Sequence, residues 1–123
     1  DLPIASQQMI EILKALSTDP DILILDEPTS TLTSTEVDKL YRIVLELKKA
    51  GKTVIFITHN VGEAILLSDR VYIMKTTPGE IIGEMSIDLP RPRELEMKDT
   101  RQFATYEYKI TNTIGNIELN LIK

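Results

Sequence analysis

Two acidic side chains, Asp26 and Glu27, stand directly after an apolar run, 22–25. The only histidine, His59, directly follows a second run, 53–58. His59 follows 32 residues after Glu27. A carboxylate at the end of a buried strand can hold the magnesium shell of a phosphoryl-transfer reaction, and a second can orient or deprotonate a water. The first run alone predicts only a strand that ends in an acidic turn. The histidine at the end of the second run favours a catalytic site.

Both runs are expected to be strands of one parallel sheet. Four apolar residues bounded by Asp21 and Asp26 are typical of a strand that is buried on both of its faces. The β-branched and aromatic run that precedes His59 predicts a second buried strand. Since open α/β sheets bind ligands at the carboxyl ends of their strands, we expect His59 to face the two acidic residues there.

Helices are predicted between these strands, and a hairpin after them. Thr33 and Glu36 form a capping-box pattern that opens one helix, and Asn60 and Glu63 form a second such pair. Residues 71–74 and 80–85 predict an antiparallel edge hairpin with a turn at 77–79. Apolar residues with helical spacing mark the inner faces of the first two helices: Met9, Ile12, Leu13 and Leu16, then Val37, Leu40, Tyr41 and Val44.

The C-terminal tail has a different pattern. Apolar residues alternate with polar ones at 106–110 and again at 117–121, with a possible turn at 114–116, which predicts a β-hairpin. The preceding Arg91-Pro92-Arg93 is expected to be an exposed, extended linker. We therefore divide the chain into a domain segment, 1–95, and an atypical extension, 96–123.

Composition limits the possible classes of function. The chain has 123 residues, of which 42% are hydrophobic, so it is long enough for one small domain. Its net charge of −5 and its lack of a basic tract argue against nucleic acid as a partner. It has no cysteine, hence no disulfide framework. No apolar run approaches the roughly 18 residues needed to cross a bilayer.

The motifs, in their order and separation, resemble the ATP-binding subunits of ABC transporters. The segment Leu25-Asp26-Glu27-Pro28-Thr29-Ser30 is similar to the Walker B motif with its catalytic glutamate and the start of the D-loop, and Thr58-His59 is similar to the switch region. Residues 2–16 resemble sugar and nucleoside importer ATPases, whereas residues 68–93 look closer to the nitrate, sulfonate and taurine group. The resemblance covers roughly three quarters of the chain.

This resemblance implies a fold and a set of roles. The fold class is α/β, a partial P-loop NTPase-type parallel sheet with flanking helices. Asp26 would bind Mg²⁺ through water, Glu27 would act on the attacking water, and His59 would contact both Glu27 and the γ-phosphate of ATP. Ser30 and Thr33 would belong to the D-loop, although many D-loops have aspartate where Thr33 stands.

Two departures from the family concern the nucleotide contacts. No G-x-x-x-x-G-K-[ST] sequence is present, so the loop that cradles phosphates is absent from these 123 residues. The residues aligned with the family's signature motif, which caps ATP held by the opposite subunit, are degenerate: Leu2, Pro3, Ile4, Ala5 and Ser6. Pro3 lacks a hydroxyl and a backbone N–H. Since the chain begins at Asp1 and not Met, we expect it to be the C-terminal half of a larger ATPase.

Three functions follow as hypotheses. The first is the ATP-binding and ATP-hydrolysing subunit of a solute importer, with a second ATPase subunit in a head-to-tail dimer and transmembrane permease subunits as partners. It would lie in the cytoplasm against the inner face of the membrane, and the segment alone would not hydrolyse ATP. The second is a non-catalytic remnant or interaction module that pairs with a full-length ABC ATPase. The third, a chromosome-maintenance or repair ATPase, is disfavoured by Thr58-His59 and by residues 77–93.

Overall fold

Helices and strands alternate along the chain in a computed structural model, which describes residues 4–76 and 79–122. The chain divides into two compact units, Asp1–His59 and Asn60–Lys123. The predicted division into a domain segment, 1–95, and an extension, 96–123, stays a prediction. The first unit contains α1 (Ile4–Ser17), β1 (Ile22–Asp26), α2 (Ser34–Lys49) and β2 (Thr53–Ile57). The second contains α3 (Val61–Leu67), β3 (Arg70–Thr76), β4 (Gly79–Ser86), a 3₁₀ turn (Leu95–Asp99) and α4 (Arg101–Ile122).

The first unit is built on two parallel strands, as predicted. Strand β1 pairs with β2 in register from Ile22 opposite Thr53 to Asp26 opposite Ile57. The helix α2 packs against β2 and buries Leu40, Tyr41 and Val44. The N-cap half of the predicted capping box is present at its start, since the Glu36 N–H donates to Thr33 Oγ1. The Glu36 carboxylate accepts from the Thr33 hydroxyl, whereas a capping box has it accept from the backbone N–H of the N-cap residue. The cap thereby fixes where the segment after β1 turns into helix.

Burial of this sheet on both faces, which the sequence predicts, is wrong for the structure described. Leu23 and Leu25 are each 7% exposed, whereas Ile22 and Ile24 on the opposite face of β1 are each 62% exposed. Ile55 and Ile57 of β2 are also exposed. The physical reason is that side chains alternate along a strand, so a helix on one side covers only every second residue. A helix layer covers one face of this sheet, whereas a parallel sheet normally has helices on both faces.

The second unit is organised around an antiparallel hairpin. Strands β3 and β4 pair from Arg70 opposite Ser86 to Thr76 opposite Gly79, with an irregularity in register at Ile73/Met74. This confirms the predicted antiparallel hairpin, although β3 and β4 form a two-stranded sheet of their own and not the edge of a larger one. Thr77 and Pro78 of the predicted turn lie outside the described residues. One face of β3 is buried through Val71 and Ile73. The helix α4 contacts both α3 and β3, which gives this unit a core of its own.

The predicted C-terminal β-hairpin is wrong, because residues 101–122 form one helix, α4. Phe103 and Ile110 are each 2% exposed, seven residues apart on one helical face, and Tyr106 lies between them. The Tyr106 hydroxyl accepts a hydrogen bond from the Asp88 N–H at 2.9 Å. Tyr108, which alternation would place with Ile110, is 72% exposed. Tertiary packing on the 3.6-residue period therefore overrides the local alternation.

The segment Arg91-Pro92-Arg93 is exposed, as the sequence predicts, only at Arg91 and Pro92. Arg93 is buried, and its guanidinium donates hydrogen bonds to five carbonyl groups, those of Ile65, Leu66, Ser68, Ile87 and Leu89. Burial, and then the neighbouring charge of Arg91, lowers the pKa of Arg93 to about 10, so it stays charged at neutral pH. A helix ends in carbonyls without helical partners. At the end of α3, Arg93 donates to those of Ile65 and Leu66, and Arg91 donates to that of Leu67.

Candidate active site at the carboxyl ends of β1 and β2

Glu27 and His59 meet at the carboxyl edge of the parallel sheet. His59 Nε2 lies 3.0 Å from Glu27 Oε1, close enough for a hydrogen bond or an ion pair. The backbone hydrogen bonds between β1 and β2 continue up to this edge, where the Glu27 N–H donates to the Ile57 carbonyl at 2.8 Å. The Glu27 side chain is 35% exposed and that of His59 is 91% exposed. Both groups are therefore open to a ligand that approaches this edge.

The backbone of Glu27 is strained. Its φ is +51°, in the left-handed region that costs a residue with a Cβ roughly 1–2 kcal/mol. Such conformations cluster at functional sites, where the surrounding structure enforces them. Here the hydrogen bond to the Ile57 carbonyl fixes the Glu27 N–H, and the turn that follows fixes the Glu27 carbonyl. The Glu27 carbonyl accepts bonds from the Ser30 N–H at 3.4 Å and from the Ser30 hydroxyl at 3.1 Å. Nothing in the sequence indicates this conformation.

This strain predicts an inverted glycine preference at position 27. Glu27→Gly should be more stable than Glu27→Ala by about 1 kcal/mol, because only glycine adopts positive φ without a steric penalty. Urea unfolding of both variants measures the difference. The same pair of substitutions at Glu46, an exposed position in α2, serves as the control and should show the ordinary order, with glycine less stable by about 1 kcal/mol. Equal stabilities of the two variants at position 27 would contradict the strain.

The predicted D-loop residues lie in the turn that follows Glu27. Ser30 is bound to Glu27 through the two hydrogen bonds to its carbonyl. The Thr33 hydroxyl caps α2 by accepting a hydrogen bond from the Glu36 N–H. Pro28 is among the fully buried side chains and anchors this turn. The structure thus places Ser30 at the site and gives Thr33 a structural contact, while the D-loop role of both stays a prediction.

Asp26 lies at the last position of β1, on the exposed face that also carries Ile22 and Ile24. The described residues contain no cluster of three or more His, Cys, Asp or Glu side chains that could hold a metal ion by themselves. One exposed carboxylate fits Mg²⁺ that arrives with a nucleotide, because this ion keeps several waters and takes most other ligands from phosphates.

The residues aligned with the family's signature are described only in part. Leu2 and Pro3 are outside the described residues, and Ala5 is placed only as part of the backbone of α1. Ile4 is exposed in the first turn of α1. Ser6 lines a cavity of about 610 Å³ between α1 and α2, together with Leu13, Lys39 and other residues. Their predicted contact with a nucleotide on the opposite subunit stays a prediction.

Among the residues that the structure describes, no helix is both long enough and apolar enough to span a membrane. No protein-family model matches the chain. Curated proteins do match it over most of its length. A putative ribose/galactose/methyl galactoside import ATP-binding protein of Albidiferax ferrireducens is 36% identical over 116 residues, which make up 94% of this chain and 23% of the relative.

Two further relatives show how the match is distributed. Ribose import ATP-binding protein RbsA 2 of Streptomyces coelicolor is 47% identical over 90 residues, 73% of this chain and 17% of the relative. An uncharacterized ABC transporter ATP-binding protein of Methanocaldococcus jannaschii is 37% identical over 118 residues, 95% of this chain and 43% of the relative. Of the Albidiferax relative described above, the chain spans 23% of the length, about a quarter.

The fold is also similar to that of solved ABC transporter cassettes. A bacterial ABC transporter cassette solved as a dimer superposes with a TM-score of 0.65 at 30% identity, over 72% of this chain and 38% of that chain. A dimeric post-hydrolysis ATP-binding cassette bound to ADP and Pi superposes with a TM-score of 0.63, also at 30% identity, over 70% of this chain and 36% of that chain. The elements described above are therefore those of part of such a cassette.

Proposed function

Because this chain belongs to the family of ABC transporter ATP-binding proteins and spans part of one such protein, we propose that it supplies the Walker B half of the ATP-hydrolysing site of a solute importer. The observation that carries the proposal is the 3.0 Å contact between Glu27 and His59 at the carboxyl edge of a parallel sheet. A carboxylate and an imidazole held together at that edge can act on one water.

The roles we propose follow from the positions of the three side chains. Asp26 would hold a water of the Mg²⁺ shell, and Mg²⁺ bound to ATP would supply charge neutralisation on the phosphates. Glu27 would align the attacking water and accept its proton at a carboxylate oxygen. His59 would keep that carboxylate in place through Nε2 and would reach toward the γ-phosphate. The strained backbone of Glu27 would fix the direction in which its carboxylate points.

The proposed partners come from the relatives. Since two of the cassettes that match were solved as dimers, we propose a second ATPase subunit arranged head to tail, which would present its signature residues to this site. Permease subunits in the membrane would be the other partners, and the protein would lie on the cytoplasmic side. The names of the curated relatives favour a sugar as the transported solute. The nitrate and sulfonate resemblance of residues 68–93 stays a prediction.

The proposal is tested with a fusion, called here the joined domain. In it, the polypeptide that precedes the matched segment in the Albidiferax relative is fused to the N-terminal end of this chain. We expect magnesium-dependent phosphate release from ATP by the joined domain, and none by the 123-residue chain alone, because the chain lacks a phosphate-cradling loop. Turnover by the isolated chain that Glu27→Gln abolishes, or a folded but inactive joined domain, would contradict the proposal.

A further inference from the structure

A groove of about 610 Å³ lies between α1 and α2 of the first unit. Small-molecule sites usually have volumes of roughly 300–1,000 Å³. The aliphatic wall of this groove is formed by Met9, Ile10 and Leu13 of α1 and is continued by Ile43 of α2. None of the residues of the candidate active site lines it, so the groove is a different site.

The helix α1 has apolar residues on two of its faces. Ile12 is 4% exposed and belongs to the core, whereas Ile10 and Leu13, three residues apart on another face, are 38% and 53% exposed. A surface helix of a globular protein normally carries a single apolar stripe, which faces the core. The second stripe of α1 is therefore available to the aliphatic part of a ligand.

The α2 wall of the groove carries two cations. Lys39 and Arg42 both line it and are three residues apart, so they are neighbours on one face of the helix. Both side chains are exposed, and neither is in a hydrogen bond or an ion pair within the part of the chain that the structure describes. An anionic group of a ligand could thus accept charge-assisted hydrogen bonds from both.

Glu36 adds an acceptor to the same wall, three residues before Lys39. Its Oε1 accepts a hydrogen bond from the Thr33 hydroxyl at 3.2 Å. Its Oε2 is buried and has no hydrogen-bond partner among the described residues. A buried carboxylate oxygen without a donor is unfavourable, so a ligand that brings a positively charged donor would be stabilised here.

We propose that this groove binds an aliphatic α-amino acid. Its ammonium group would donate to Glu36 Oε2, its carboxylate would accept from Lys39 and Arg42, and its side chain would pack against the exposed stripe of α1. The spacing is suitable, because side chains three residues apart on a helix have Cβ atoms about 5–6 Å apart, and both charged groups of an α-amino acid are attached to one carbon. The proposal goes beyond the proposed function and does not depend on it.

Other classes of ligand match fewer of the groups that line the groove. A fatty acid would place a carboxylate near Glu36 and leave its Oε2 without a donor. An aliphatic amine would add a positive charge beside Lys39 and Arg42. A nucleotide is disfavoured, because the lining residues include no aromatic side chain on which a base could stack. An aliphatic α-amino acid is complementary to the acceptor, the two cations and the apolar wall together.

Isothermal titration calorimetry of the 123-residue chain with L-leucine tests the proposal. We expect saturable binding of a single leucine per chain. Three analogues each lack one group of leucine: isocaproate lacks the ammonium, isoamylamine lacks the carboxylate, and glycine lacks the side chain. Each should bind at least about tenfold more weakly, because each loses either a charge-assisted hydrogen bond or the aliphatic contact.

Substitutions locate the binding to this groove. Lys39→Met and Arg42→Met should each raise the dissociation constant of L-leucine at least about tenfold, because each removes a charged donor. Lys49→Met is the matched control, since Lys49 is exposed on the same helix and does not line the groove. It should leave the dissociation constant within about twofold of that of the unchanged chain. Circular dichroism shows whether each variant keeps the fold.

Several outcomes would overturn the proposal. One is the absence of saturable L-leucine binding up to about 10 mM, which is tenfold above the millimolar dissociation constant of a weak ligand. The others are equally tight binding of any of the three analogues, and equal weakening by Lys49→Met and the groove variants. If a groove variant does not fold, the comparison of leucine with its analogues decides alone, because it needs no substitution.

Discussion

Replacing Glu27 with glutamine in the joined domain should lower kcat for ATP hydrolysis roughly a thousand-fold, within the range that a positioned general base contributes. Glutamine has the same shape but accepts no proton, so the turn that holds Glu27 and the contact with His59 should survive. KM for ATP should change little, because the lost interaction belongs to the transition state. Steady-state phosphate release with saturating magnesium measures both constants.

The matched control is Glu46→Gln, which removes a carboxylate of the same type from the exposed surface of α2. It should leave kcat within about twofold of the unchanged protein, since surface substitutions far from special contacts have small effects. A loss of activity caused equally by both variants would indicate a general charge effect. A small effect of Glu27→Gln would remove Glu27 from the chemistry.

Replacing Arg93 with methionine should destabilise the fold by about 3 kcal/mol or more. Methionine fills much of the same volume, yet it leaves buried carbonyls of α3 and of residues 87–89 without their charged donor. Unsatisfied buried polar groups are among the few causes of such large losses. The midpoint of urea unfolding measures the change, and circular dichroism shows whether the variant folds at all.

Arg101→Met provides the control for Arg93, because Arg101 is exposed at the start of α4. It should change the free energy of unfolding by less than about 0.5 kcal/mol. Arg93→Lys should fall between the two, since one ammonium group keeps the charge but cannot span the same set of carbonyls. Similar stabilities of Arg93→Met and Arg101→Met would show that the hydrogen bonds of Arg93 contribute little.

The parallel strands and α2 could be predicted because local signals and packing agree there. For α2, the capping pattern of Thr33 and Glu36 and the helical spacing of the apolar residues both predict a helix. For β1 and β2, the two apolar runs, 22–25 and 53–58, both predict strands. The same agreement allowed Asp26, Glu27 and His59 to be placed at one edge of the sheet from sequence alone. The 3.0 Å contact between Glu27 and His59 then needed only the parallel register of β1 and β2.

Other features depend on partners distant in the sequence. The helix α4 was missed because alternation at Tyr106, Tyr108 and Ile110 imitates a strand, whereas burial follows Phe103 and Ile110. Arg93 looks like a surface residue until carbonyls from α3 surround it. The left-handed backbone of Glu27 arises from its bond to Ile57 and from the turn at Ser30. Each of these depends at least in part on residues that are distant in the sequence.

The central claim is that Glu27 and His59 work as one hydrolytic unit, and a double-mutant cycle on kcat tests it most directly. Glu27→Gln, His59→Ala and the double variant are compared in the joined domain under saturating ATP and magnesium. Residues that act as a unit are strongly non-additive, so the double variant should be about as slow as the slower single variant. Rate losses that multiply in the double variant would contradict the claim, because the two side chains would then act independently.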